Sequence, residues 1–279
     1  MRIALVQCAP RLGDLGANLI MAGDAIAEAR AAGAELIVFP ELALSGYAVG
    51  EVDADLALEP DDPSLLGLSR AAGDAGLLIG DQEGAGVHRY NTVAYYQFGS
   101  PVHSHRKLFL PTYGVFEERK HFDPGQRMRA YQTPWGRMAT LICNDAWQPQ
   151  LPFVAVQDGA VILLVPSNSS QSRFPEHWDA KEYWHDITRF YARMFECYVV
   201  FVNRVGQEGP LSFWGGSHVV DPWGELVVAA PEQDVALVSA DLDLAAVRQR
   251  RRQVPLVKEA RLALLEREIR RLADEGGDL

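Results

Sequence analysis

The sequence predicts an α/β protein made of two β-sheets with helices packed on their outer faces, in one domain spanning 1–279. Three observations predict it. Short apolar, β-branched runs alternate with helical patterns from the first residues onward. Strands outnumber long helices and are often joined by hairpins, which fits a simple doubly wound sheet poorly. No Gly/Ser tract, charge block or fixed-period repeat divides the 279 residues, a length that alone leaves one large or two small domains open.

Residues 2–9 read as a buried first strand, because the run is interrupted at Gln7 and stopped by Pro10 and so lacks the unbroken apolar core of a secretory signal. A helix over 17–32 closes at Gly33, and 35–39 is a second strand ending at Pro40. A helix over 64–72 stops at Gly73 before a third strand, 76–80. Segments 91–98 and 100–106 flank Gly99 as a hairpin, and 137–143 and 160–166 are strands with a helix between. Trp184, Ile187, Tyr191, Met194 and Tyr198 recur at spacings of three and four, one apolar face of a long helix within 178–198. Strands follow at 198–203, 217–221, 225–229 and 236–241, with Asp221-Pro222-Trp223-Gly224 as a turn. Leu262, Leu265, Ile269 and Leu272 then form a helical stripe that has to bury against something, with Pro255 near the helix start.

Hydrophobic residues at 48% and charged residues at 23% exclude disorder and collagen-like repeats. The net charge of −11 argues against nucleic-acid binding, which relies on clustered cations. The longest apolar runs, 161–166 and 197–202, fall far short of the ~20 residues that span a bilayer, so no membrane segment is expected. Three cysteines without a CxxC pair point to a reducing, cytoplasmic setting.

The motifs GxGxxG, GxxxxGK[ST], HExxH and GxSxG are absent. His103 and His105 alternate onto one strand face without a third ligand nearby and read as a solvated face rather than a metal pair. Cys8 and Cys197 sit in apolar patterns and read as core. Cys143 ends a strand and leads into Asn144-Asp145-Ala146-Trp147. On local sequence it reads first as another buried cysteine, and otherwise as a nucleophile facing backbone N–H groups. Glu41, in FPELALSGY (39–47), is either a capping or surface carboxylate or a partly desolvated base. Lys107, in RKLFLP (106–111), is either a snorkelling surface lysine or a functional cation.

All three occur together and in this order, which resembles the signature of the nitrilase superfamily of carbon–nitrogen hydrolases. YGVFEERKHF (113–122) followed by Pro124-Gly125, Tyr90-Asn91-Thr92, Val165-Pro166-Ser167, VNRVG (202–206) and Gly215-Gly216-Ser217 are similar to further landmarks, so the resemblance covers nearly the whole chain. It implies a single-domain, four-layer α-β-β-α sandwich in which Glu41, Lys107 and Cys143 meet at one pocket, with Glu118 as a second carboxylate. No metal or organic cofactor is implied.

Cysteine suits such chemistry because amides are poor electrophiles, and a thioester splits hydrolysis into two easier steps. Glu41 would take the thiol proton, Lys107 and the backbone N–H of Asn144 would hold the oxyanion, and Glu118 would orient Lys107 or the substrate. Nitrile-cleaving relatives tend to carry Trp-Glu after the cysteine, whereas Asn144-Asp145 stands here, which favours a linear amide, ω-amide or carbamoyl substrate. Tyr47, Phe116, Trp147, Asn168 and Arg173 are the candidate substrate-binding residues. Arg173 is either the anchor of a substrate carboxylate or an exposed loop residue. Residues 244–279 carry +3 and the rest of the chain −14, so this extension is suited to docking on a second copy, and the resemblance also implies homodimers or larger assemblies. The alternatives are nitrile hydrolysis, N-acyl transfer through the same thioester, and a catalytically silent interaction protein on the same fold. The intact Glu41/Lys107/Cys143 set argues against silence.

Overall fold

The computed structural model describes residues 1–113, 116–171 and 179–276. β1 (Arg2–Gln7) puts Ile3 and Leu5 on one face and Ala4 and Val6 on the other, the pattern of a strand covered on both sides. Asp14 caps α1 (Leu15–Ala31) by accepting the Ala17 N–H. Then come β2 (Leu36–Val38), α2 (Pro63–Ala72), β3 (Gly76–Ala85), β4 (His88–Gln97), β5 (Ser100–Arg106), β6 (Tyr131–Thr133) and β7 (Gly136–Thr140). The rest is α3 (Gln150–Gln157), β8 (Ile162–Ser167), α4 (Ala180–Phe195), β9 (Tyr198–Asn203), β10 (Val205–Glu208), β11 (Leu211–Trp214), β12 (His218–Val220), β13 (Leu226–Ala229), β14 (Ala236–Asp241), α5 (Leu244–Gln253) and α6 (Leu262–Asp274).

Two six-stranded sheets form, ordered β14-β1-β2-β3-β4-β5 and β6-β7-β8-β9-β12-β13. Each runs antiparallel, parallel, parallel, antiparallel, antiparallel when read in those orders. Leu5, Val38, Leu78 and Val93 from the first meet Met138, Leu164, Val200 and Val219 from the second in a shared core. The outer face of the first sheet packs on Ile26 of α1 and Leu65 of α2, and that of the second on Ala155 of α3 and Trp184 of α4. Four layers, α-β-β-α, result.

The structure shifts several sequence expectations. The strand expected over 137–143 ends at Thr140, and Cys143 instead opens a 3₁₀ turn, Cys143–Trp147. α4 buries Ala180, Trp184, Thr188, Tyr191 and Ala192, while Met194 is exposed and Tyr198 belongs to β9. α6 begins at Leu262, well beyond Pro255, and none of its residues is buried in the single chain. β6 and the β10–β11 hairpin were not anticipated.

Candidate active site

Glu41 and Lys107 emerge from the carboxyl ends of β2 and β5, which point the same way in the first sheet, and Cys143 and Asn168 from those of β7 and β8, which are parallel in the second. In open α/β sheets this end is where crevices form. Gly80 on β3 lets the Glu41 loop lie flat, because a Cβ there would stand 2.6 Å from Leu42 N and 2.9 Å from Glu41 Cα. Gly125 does the same beside the lysine, since its Cβ would fall 2.2 Å from Arg106 O, and its N–H donates to Lys107 O at 2.8 Å. These contacts give the sequence landmarks a steric reason.

Lys107 is fully buried, and its Nζ donates to Glu41 Oε1 at 2.7 Å and to Glu118 Oε1 at 2.7 Å. Asn91 Nδ2 on β4 donates to Glu41 Oε1 at 2.6 Å, and the Asn168 N–H donates to Glu41 Oε2 at 2.8 Å. The Tyr47 hydroxyl donates to Glu118 Oε1 at 2.6 Å. Burial works against the ammonium, but the Glu118 and Glu41 charges outweigh it and raise Lys107 above the ordinary lysine range. Burial pushes Glu118 up to about 7, against the pull of Lys107 and with the push of Glu41. The Tyr47 phenol rises well above its usual value, through burial and the two carboxylates.

Cys143 is half-buried and faces the same charges. Burial raises its thiol, Glu41 raises it further, and Lys107 opposes them, so the resting sulfur is protonated at neutral pH. Its φ of +45° is left-handed backbone, as is the +48° of Leu42 beside Glu41. Such conformations cost non-glycine residues roughly 1–2 kcal/mol and persist only where neighbours enforce them. By contrast, Cys8 and Cys197 are fully enclosed, and burial pushes each thiol up to about 12.

The substrate-binding candidates divide. Phe116 packs edge-on to Tyr47 with centroids 6.0 Å apart, over a cluster of Leu42, Leu110, Phe122 and Phe213. Trp147 stacks on Tyr183 and meets Trp184 edge-on. Asn168 is buried, and among the described residues neither its Nδ2 nor its Oδ1 has a hydrogen-bond partner. Tyr47 is committed to Glu118. Arg173 lies outside the described residues. Asn144 anchors its side chain by donating from Nδ2 to Phe109 O at 3.0 Å.

The histidine face is not solvated, contrary to the sequence expectation. His105 is buried against Asp145, with Nε2 and Oδ2 2.9 Å apart, and His103 stacks on Tyr131 with centroids 4.4 Å apart. Sequence reasoning also passed over Asn91 as a site residue and missed Glu208 of β10. The Glu208 Oε2 accepts the N–H groups of Tyr47 and Ala48 at 2.9 Å while its other oxygen pairs with buried Arg204. Glu208 stands in Arg204-Val205-Gly206-Gln207-Glu208-Gly209, polar text in which nothing marks a buried carboxylate. Among the described residues no helix is long and apolar enough to cross a membrane.

Comparison with known proteins bears on this geometry. A profile of the carbon–nitrogen hydrolase family matches residues 2–252. The chain is 31% identical over 250 residues to a glutamine-dependent NAD(+) synthetase of Thermotoga maritima, covering 88% of itself but 42% of that relative. It is 25% identical to an N-carbamoylputrescine amidase of Arabidopsis thaliana, over 89% of this chain and 88% of that one. Among solved structures it is similar to a mutant amidase from Nesterenkonia sp. AN1, with TM-score 0.81 and 26% identity over 96% of each chain. In that structure the acetamide moiety of fluoroacetamide is covalently added at the active-site cysteine. Cys143 occupies the position expected for such a cysteine.

Proposed function

The chain belongs to the carbon–nitrogen hydrolase family, and from that premise we propose that it hydrolyses a small linear amide, ω-amide or carbamoyl compound through a thioester on Cys143, releasing ammonia. The observation that carries this reading is one buried lysine held at 2.7 Å by each of two carboxylates beside a half-buried, left-handed cysteine. A structural role explains such a cluster poorly, because buried charges are expensive and apolar replacements are often as stable.

Glu41 accepts the thiol proton as Cys143 Sγ attacks the carbonyl carbon. Because the resting thiol is protonated, attack and proton transfer go together rather than from a standing thiolate. The oxyanion is held by the Lys107 ammonium and the Asn144 N–H, and losing one such donor typically costs ~3 kcal/mol at the transition state. Collapse expels ammonia, protonated by Glu41. Glu41 then draws a proton from the water that opens the thioester, returning the acid and the free thiol. Glu118, steadied by Tyr47, holds Lys107 in place. The unpartnered amide of Asn168 supports a role in binding the substrate's own amide, which carries both a donor and an acceptor.

A second reading, glutamine as the amide, is favoured by the 31% identity to a glutamine-dependent synthetase. The setting is the reducing cytoplasm, where three free cysteines stay thiols. A second copy of this chain is the partner, seated on α6. Ammonia release from a panel of amides, ω-amido acids, carbamoyl compounds, nitriles and glutamine, run beside Cys143→Ala, tests the proposal. Release that survives Cys143→Ala rules out the thioester, and preferential turnover of nitriles rules out the substrate class.

A further inference from the structure

We infer that the Asp145 carboxylate, held by His105, is the positioning group that sets the Lys107 ammonium against the Cys143 sulfur; the inference rests on the hydrolytic reading above. Asp145 is fully buried. Its Oδ1 accepts the N–H groups of Leu108 at 3.0 Å and Phe109 at 2.9 Å, the two residues that follow Lys107. Its Oδ2 accepts the N–H of Ile142 at 3.2 Å, the residue before Cys143, and lies 2.9 Å from His105 Nε2. Both oxygens of a carboxylate are acceptors only, so His105 donates from Nε2 and all four lone-pair directions are filled.

One side chain thus ties together two loops from different sheets. The lysine loop leaves β5 of the first sheet, and the cysteine turn leaves β7 of the second. The bond to Ile142 N–H also closes the turn around Cys143, whose left-handed backbone needs neighbours to enforce it. Asn144 Nδ2 bridges the same two loops through Phe109 O, but it is only half-buried. His105 supplies the remaining partner from β5 itself, two residues before Lys107, and is buried with it. Misplacing reacting groups by about 1 Å can cost ~100-fold in rate, so a clamp at this point acts on turnover rather than on affinity.

The test compares His105→Leu, which removes the donor, with His105→Gln, which keeps an N–H at similar reach, and with Asp145→Asn. Two readouts are taken per folded molecule, with the folded fraction measured by circular dichroism: steady-state ammonia release, and the rate of Cys143 alkylation by iodoacetamide. His105→Leu and Asp145→Asn are expected to lower kcat about 10- to 100-fold with KM within about twofold, and to slow alkylation. His105→Gln is expected to recover most of the loss. Wild-type kcat and alkylation in folded His105→Leu overturn the inference, as does a His105→Gln variant no better than His105→Leu. If Asp145→Asn does not fold, the two His105 variants decide. If the unaltered chain releases no ammonia from any amide, the hydrolytic reading fails, and the alkylation rates still decide the positioning role.

Discussion

Glu41 moves a proton in both halves of the proposed reaction, so Glu41→Gln, which keeps the shape and removes the base, is expected to abolish acylation and deacylation together. Single-turnover kinetics with trapped thioester would detect any surviving first step. Cys143→Ala should remove turnover and leave unfolding cooperative, since a small side chain is lost from a half-open site. Lys107→Ala should lower kcat more than it raises KM. It also leaves Glu41 and Glu118 buried without their cation, a loss of ~3–5 kcal/mol by analogy with broken buried pairs, so turnover must be counted per folded molecule. Glu118 carries a pH signature. Its folded pKa of about 7 lies above the ordinary 4.5, so the native state holds the extra proton between these values. Its contribution to stability is therefore complete below about pH 4.5 and lost as pH rises through about 7. In activity the sign reverses, because protonation below about 7 releases Lys107. kcat/KM should fall on that acid limb, and Glu118→Gln should erase the limb; an unmoved limb assigns it elsewhere. Glu41, Lys107 and Cys143 were legible as candidates because reactive types sit at strand ends inside strings that together resemble a family signature, and Glu118 was expected from that resemblance alone. His105 and Asp145 were not, because the partner of each lies on the other sheet, and no local pattern announces a contact between sheets.

Among the elements, β12 brings its own titration. His218 is wholly buried, with Nδ1 donating to Gly216 O at 2.8 Å and Nε2 2.9 Å from Thr188 Oγ1 on α4. Burial holds its pKa down at about 4, against 6.5 when free. The unfolded chain therefore binds the proton first, and the element's contribution is present above about pH 6.5 and drains as pH falls toward 4, by up to ~3 kcal/mol. Glu118 gains stability over the same window, so the comparison carries the test: between pH 7.5 and 4.5 the urea midpoint of the unaltered chain should move down relative to that of His218→Gln, and parallel curves would place the titration elsewhere. Cys8→Ala and Cys197→Ala should each cost about 1–2 kcal/mol while sparing turnover per folded molecule, as fully enclosed thiols outside the site would. Most strands were legible because both faces are apolar and the runs are bounded by Gly and Pro. The register of α4 was read one step off, because Thr188 turns inward to donate its hydroxyl to His218 Nε2, an interior polar contact that hydrophobic periodicity does not register. The β10–β11 hairpin was missed for a related reason. Its buried members include Glu208, whose task is to cap backbone groups of the loop after Glu41.

At the scale of the whole molecule, α6 is left uncovered by its own chain. Leu262, Leu265, Ile269 and Leu272 are 53%, 40%, 65% and 48% exposed, an apolar stripe with charged neighbours on a +3 segment attached to a −14 body. A second copy satisfies both the apolar and the electrostatic demand, the latter weakening as salt rises. Light scattering at micromolar concentration should show a dimer or larger assembly, and removal of residues after 254 should weaken it. A monomeric full chain at physiological salt would contradict this. The backbone bond from Asn168 on the second sheet to Glu41 on the first joins residues 127 positions apart, and Lys107 and Cys143 likewise come from opposite sheets. Contacts so remote in sequence close late, after most of the loop entropy has been lost. A chain with only one sheet formed would hold a base without a nucleophile, or a nucleophile without a base. On dilution from denaturant, hydrolysis should therefore return only with the slowest kinetic phase, so that a nascent or half-refolded chain cannot attack the amides around it.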